Sequence, residues 1–172
     1  IINISFNQIN GGSISMDLAP RNSIYSENKF LLKWLLKREK MYHFNELKTQ
    51  KKFFEQCKKH KFLLNDLLKK LKLKGKKICG YGASTKGNVI LQYCGINQKT
   101  LDAIFEVNNF KFHRFTPGSK IKILSEKKIK KIKPDYLLVL PWHFKDHIVK
   151  KEKDYLNKGG KLIFPLPEIE II

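Results

Sequence analysis

Residues 80–88 read Gly-Tyr-Gly-Ala-Ser-Thr-Lys-Gly-Asn, directly after a short apolar run and directly before a stretch with helical spacing. A glycine-rich turn between a strand and a helix aims backbone amides, and the positive end of the helix dipole, at one point. That arrangement attracts phosphate. Gly80 and Gly82 permit a tight turn and a close backbone approach, and Lys86 adds a point charge. The spacing of Gly80, Gly82 and Gly87 is G-x-G-x-x-x-x-G, with Thr85 where the dinucleotide fingerprint has its third glycine. Gly82 and Gly87 enclose the four-residue gap of a P-loop, but Asn88 and Val89 follow where Lys and Ser or Thr are required. Neither motif is supported. An anion at this turn stands as the expectation, weighed against a purely structural turn.

Glu106 closes the next strand, where a carboxylate can accept hydrogen bonds from sugar hydroxyls or simply face water. Trp142 follows a buried strand, placed either to stack on a base or sugar or to plug the core. His143 and His147 are four apart with Asp146 between them, but a metalloprotease pattern needs Glu directly after the first His, and Phe144 stands there. A non-metal reading is favoured. His43, His60 and His113 are isolated, which favours surface or packing roles for each.

These residues need a scaffold. Residues 1–20 have the pattern of a hairpin turning at Asn10-Gly11-Gly12. A lone hairpin is marginal in water, so it needs a sheet to join. Ile1 stands inside an alternating, strand-like stretch, from which a preceding segment is expected. Helical spacing runs from about Ser23 to Lys40 and from about Asn45 to Leu73, the second with a seam of Phe54, Cys57, Leu64, Leu68 and Leu71. Gly75 is its expected stop. Beyond it, apolar strands alternate with helices: strands at 76–81, 101–107, 121–124, 135–141 and 161–167, with helices at 86–94, from the Ser125 cap to Pro134, and at 143–159. That alternation predicts an α/β fold, a doubly wound, Rossmann-like and mostly parallel sheet. The expected division is a hairpin over 1–20, a helical linker region over 21–74 and the Rossmann-like domain over 75–172.

Composition narrows the class of partner. The formal charge is +20, from 35 basic and 15 acidic side chains. Only Arg21, Arg38 and Arg114 are arginines, whereas nucleic-acid readers favour clustered arginine. The lysines accompany abundant Ile, Asn and Phe, a pattern that base-composition bias explains. Cys57, Cys79 and Cys94 lack C-x-x-C spacing and lie in apolar contexts, as buried free thiols of a reducing, cytoplasmic compartment do. No apolar run approaches the roughly 20 residues of a membrane span. A basic nucleic-acid-binding module and a nucleotide-binding oxidoreductase fragment remain as alternatives.

Four stretches carry a resemblance: 80–96 (GYGASTKGNVILQYCGI), 109–123 (NFKFHRFTPGSKIKI), 134–144 (PDYLLVLPWHF) and 159–172 (GGKLIFPLPEIEII). In this order they resemble the C-terminal domain of SAM-dependent sugar C-methyltransferases. Residues 7–15 (NQINGGSIS) resemble the last hairpin of that family's SAM-binding domain. The resemblance implies a three-part enzyme: a zinc module, a SAM-binding domain holding the general base, and a Rossmann-like domain that helps hold a nucleotide-linked keto-deoxysugar. S-adenosyl-L-methionine and zinc would then belong to parts that this chain lacks. In the implied chemistry a base removes the proton next to the keto group, and the resulting enolate takes the methyl of SAM.

Carried onto this chain, the ligand-facing set is Gly80, Tyr81, Gly82, Ala83, Ser84, Lys86, Gly87 and Asn88, with Glu106 where the family has aspartate. Lys111, Arg114, Pro117 and Gly118 match the family's basic loop and tight turn. The planar fork of Arg114 suits a diphosphate. Trp142 and His143 stand where Trp-Asn is usual, a change that could alter a hydrogen bond to the sugar. The expected partners are a nucleotide-linked deoxysugar and an upstream SAM-binding domain, with no membrane, and nucleic acid is disfavoured. On this reading the amides opening the helix after the first core strand grip the diphosphate, and the chain alone binds without catalysing.

Overall fold

The computed structural model describes the backbone of residues 1–172 and the side chains of residues 1–9, 11–129 and 131–172. Two compact units result, Ile1–Cys57 and Lys58–Ile172.

In the first unit, β1 (Asn3–Asn7) pairs antiparallel with β2 (Ser13–Asp17), Asn3 opposite Asp17 and Asn7 opposite Ser13. The chain reverses through Gly11 and Gly12, both at positive φ (83° and 118°), which glycine adopts without steric cost. The hairpin forms a two-stranded sheet by itself, so the sheet it was expected to join is not found among the described residues. α1 (Lys29–Met41) starts later than its apolar spacing predicts, because the Asn28 side chain accepts from the Leu31 amide and caps it there. No described residue of this unit is fully buried, and Phe30, Leu36 and Met41 of α1 are exposed.

The long helix α2 (Leu47–Leu73) buries only Leu64, Leu68 and Leu71. The seam expected to begin at Phe54 is therefore shorter: Phe54 is exposed and Cys57 half-buried. At its end Gly75 takes φ 69°, while the Lys76 amide closes back on the Leu71 carbonyl at 3.1 Å, a glycine stop of the expected kind.

The second unit is built on a six-stranded sheet ordered β5-β4-β3-β6-β7-β8. Its strands are β3 (Ile78–Tyr81), β4 (Ile104–Glu106), β5 (Ile123–Ser125), β6 (Tyr136–Val139), β7 (Lys161–Phe164) and β8 (Glu170–Ile171). The first five run parallel; β8 is antiparallel to β7. Consecutive strand residues enter different cores, as a pleat requires. Ile78, Ile104, Leu138 and Ile163 pack with Leu64 and Leu68 of α2 and Leu91 of α3 (Thr85–Cys94). Cys79, Phe105, Leu137 and Leu162 pack with Ile129 of α4 (Ile129–Ile132) and Ile148 of α5 (Lys145–Lys151). Helices cover both faces, and the fold is the doubly wound, Rossmann-like one expected.

Three details depart from the sequence reading. Ser125 caps a single 3-10 turn, Glu126–Lys128, and α4 adds only four residues before Lys133 turns left-handed at φ 50°. The helix expected over 143–159 divides at Glu152 into α5 and α6 (Lys153–Asn157). Strand β8 was not anticipated, since two residues give no periodicity. Cys79 and Cys94 are buried and unbridged, and burial pushes the Cys79 thiol up to about 11, far from its reactive range. No described helix is long and apolar enough to cross a membrane.

Candidate ligand-binding site at the carboxyl ends of the strands

The chain leaves β5 at one edge of the sheet and returns as β6 on the far side of β3. That reversal puts the topological switch point at the carboxyl ends of β3 and β6, where open α/β sheets place ligands. The glycine turn lies there. Gly82 has φ 76°, and a β-carbon on it would stand 2.8 Å from the Pro141 ring. One on Gly80 would stand 2.7 Å from Ile104 Cγ1. These glycines are needed for close packing within the fold itself.

The turn also consumes most of its own amides. Gly82 N–H donates to the Phe105 carbonyl at 2.7 Å, Ser84 N–H to the Gly82 carbonyl at 2.9 Å and Asn88 N–H to the Ser84 carbonyl at 3.1 Å. The Ser84 hydroxyl caps α3 by accepting from the Gly87 amide at 3.0 Å. Ala83 N–H donates to Glu106 Oε2 at 2.9 Å. Among the described residues the Thr85 amide, at the first helical position, is left without such an acceptor. The expected cradle of amides is thus largely spent inside the chain, because a short cap and a strand-end carboxylate reach it first.

Glu106 is only 7 % exposed. Its Oε1 accepts from the Val107 and Asn108 amides at 2.8 and 3.0 Å, and its Oε2 accepts from Ala83 N–H and, at 3.2 Å, from Lys111 Nζ. Burial by itself would raise the carboxyl; the Asn108 amide, the Lys111 ammonium and the Val107 amide outweigh it and hold the group below the usual carboxylate range. Lys111 Nζ also donates to the Ala83 carbonyl at 3.0 Å.

Beside this network is a cleft of about 230 Å³. Five expected residues line it: Ala83, Asn88, Lys111, Arg114 and Pro117. Thr85, Phe115, Thr116 and Ile123 complete the wall. Asn88 Oδ1 is a buried atom with no hydrogen-bond partner, a condition that a donor on a ligand would relieve. Arg114 is exposed, and among the described residues no carboxylate lies within ion-pair distance of it. The loop behind is stiffened by the Thr116–Ser119 hydroxyl contact at 2.6 Å and by Ile121 N–H donating to Thr116 Oγ1 at 2.9 Å. Gly118, at φ 70°, lies 3.0 Å by its β-position from Gln92, whose amide donates to the Pro117 carbonyl.

The model of the C-methyltransferase C-terminal domain family matches residues 8–167. The chain belongs to this family. It is 28% identical to the C-methyltransferase NovU of Streptomyces niveus over 172 residues, all of this chain and 41% of that relative. The chain thus spans under half the length of the curated relative it matches.

Other residues of the family's expected set lie outside the cleft wall. The Tyr81 side chain packs in the second core, and its hydroxyl donates to Glu152 Oε1 at 2.8 Å. Trp142 is half-buried against both cores and meets the His143 ring edge-on at 5.7 Å. His143 belongs to the 3-10 turn before α5, whereas His147 lies within α5, so the two do not share one α-helix. His143 Nδ1 is buried without a partner. Burial, then the charge of Lys86, holds its imidazole below the usual histidine range, which places Lys86 and His143 at the same end of the sheet. A larger cavity of about 870 Å³ lies between α4 and the α5–α6 pair. There Glu126 is paired with Lys151, Asp135 with Lys76 and Glu152 with Tyr81. With those carboxylates engaged internally and none of the family's expected residues on its wall, that cavity is the weaker candidate.

Of the residues that the sequence reading missed, Gln92 and Thr116 matter most. Their roles arise from contacts across 25 residues and across a tight turn, and neither leaves a motif.

Proposed function

We propose that this chain is the sugar-nucleotide-binding part of a SAM-dependent C-methyltransferase acting on a nucleotide-linked keto-deoxysugar. The observation that carries the reading is the cleft wall, where Arg114, unopposed by any described carboxylate, shares one small space with the unsatisfied Asn88 Oδ1. An arginine fork binds a phosphate bidentately, and a buried acceptor selects a hydroxyl or N–H donor beside it. A cleft of about 230 Å³ falls below the volume of most sites for whole drug-sized ligands. It fits one fragment of a sugar nucleotide, with the rest extending past the rim toward Lys86 and His143.

S-adenosyl-L-methionine does not fit this domain. A carboxylate that reads ribose hydroxyls needs open lone pairs, and those of Glu106 are taken by four donors of the chain itself. No step through the methyl donor is assigned to these residues. They bind and orient the substrate, and the base and methyl donor belong to the remaining part of such an enzyme.

Calorimetric titration with dTDP-glucose, UDP-glucose and inorganic diphosphate tests this. Binding that distinguishes the two nucleotides, and that weakens at least tenfold in Arg114→Ala, is expected, since a charged hydrogen bond contributes about 1.5–3 kcal/mol. Salt-steep binding of nucleic acid in place of any sugar nucleotide, or methyl transfer by residues 1–172 alone, would overturn the proposal.

A further inference from the structure

We infer that Glu106 and Lys111 form a positioning clamp on the glycine turn, and that Arg114 is consequently the cation that meets the ligand's anionic group. The clamp itself stands on hydrogen-bond geometry; the role of Arg114 rests on the function proposed above.

Ala83 is gripped by both of its backbone groups. Its N–H donates to Glu106 Oε2 and its carbonyl accepts from Lys111 Nζ, while Lys111 Nζ also donates to the same Oε2. The three residues close a circuit joining the glycine turn to the loop after β4. The other oxygen of Glu106 holds the Val107 and Asn108 amides and so sets the direction in which that loop leaves the strand. An aspartate, one methylene shorter, would span these four donors less well.

The circuit decides how the two cations of the cleft divide their work. An ammonium has three donor protons, and Lys111 uses two of them within the chain, one against a buried carboxylate at 3.2 Å. A phosphate approaching Lys111 would meet the charge of Glu106 behind it. Arg114 lies three residues along the same wall and has no carboxylate partner among the described residues. Its fork therefore keeps its whole charge for the ligand.

The test has an arm that needs no ligand. Urea unfolding of the parent, Glu106→Gln, Lys111→Met and the double variant forms a mutant cycle. The clamp predicts coupling of about fivefold in the unfolding equilibrium constant, whereas additive effects would overturn it. Should Glu106→Gln fail to fold, hydrogen exchange in Lys111→Met decides: exchange of the Ala83 amide about tenfold faster, with Leu138 unchanged, supports the clamp, and unchanged exchange at Ala83 overturns it. In the second arm dTDP-glucose is titrated across ionic strengths. Arg114→Ala should flatten the salt dependence, and Lys111→Met should weaken binding while keeping the slope. Equal flattening by both overturns the division of labour. Failure of the parent to bind dTDP-glucose overturns both that division and the proposed function, and leaves the clamp to the unfolding cycle.

Discussion

Gly87, in the first turn of α3, lies against Leu140, the residue after β6. A β-carbon added at Gly87 would stand 2.5 Å from Leu140 Cβ and 2.9 Å from Ser84 Oγ. The first of these atoms is fixed to the backbone and cannot rotate away, and the second is the helix cap itself. Gly87→Ala should therefore cost about 1–3 kcal/mol in urea unfolding, as overpacking does, even though alanine favours helix. A change within about 0.5 kcal/mol, the ordinary surface range, would show that α3 can slide off β6.

That contact shows how far the sequence is legible. The alternation of apolar strands and helices after Gly75 predicts the doubly wound sheet, because each strand is buried on both faces and each helix on one. The turn at 80–88 is equally plain. The use to which its glycines are put is not. Gly80, Gly82 and Gly87 look like a ligand cradle in one dimension, but their close neighbours are Ile104, Pro141 and Leu140, far off in sequence. Glu106 poses the same difficulty, since a strand-end carboxylate has one appearance whether it faces water, a sugar or the Ala83 amide. The break at Glu152 leaves no breaker residue in the sequence, and two-residue β8 has no period to detect.

The depressed pKa of Glu106 carries a pH signature. Its reference value unfolded is about 4.3, and burial, which would raise the folded value, is outweighed by the Asn108, Lys111 and Val107 donors. A carboxyl with a lowered folded pKa contributes stability that is complete above the unfolded value and is lost as pH falls through the folded one. Near neutrality the Glu106 contribution is complete and does not vary with pH, so urea midpoints should lose it only as pH falls below about 4.3. Glu106→Gln should remove this group's share of that acid slope. Identical acid slopes for the two proteins would mean that the four donors do not favour the ionised form.

Tyr81 offers a control on where the ligand lies. Its ring is buried among Phe105, Val139 and Ile148. Burial first, and the Glu152 contact next, hold its hydroxyl protonated far above neutrality, so it acts as a donor to Glu152. Tyr81→Phe should cost about 0.5–1.5 kcal/mol of stability and leave the affinity for dTDP-glucose as it was. A tenfold loss of affinity with stability intact would return Tyr81 to the ligand-facing set.

His143 reports on the other end of the glycine turn. Its Nδ1 is buried without a partner, and burial followed by the Lys86 charge lowers its pKa from an unfolded value near 6.5. The folded protein thus binds this proton less readily than the unfolded chain. The resulting stability is complete above about pH 6.5 and declines as pH falls from there through the folded value, a slope that His143→Asn should remove. Binding of an anion beside Lys86 changes the balance, since it offsets the positive charge that the imidazole feels. The His143 resonances, followed by NMR from pH 4 to 8, should therefore titrate higher with dTDP-glucose or inorganic diphosphate than without. Lys86→Met should raise the pKa in the absence of ligand and blunt the ligand-induced shift. A downward shift, or none at saturating ligand, would place the anionic group away from Lys86 and confine it to the Arg114 side of the cleft.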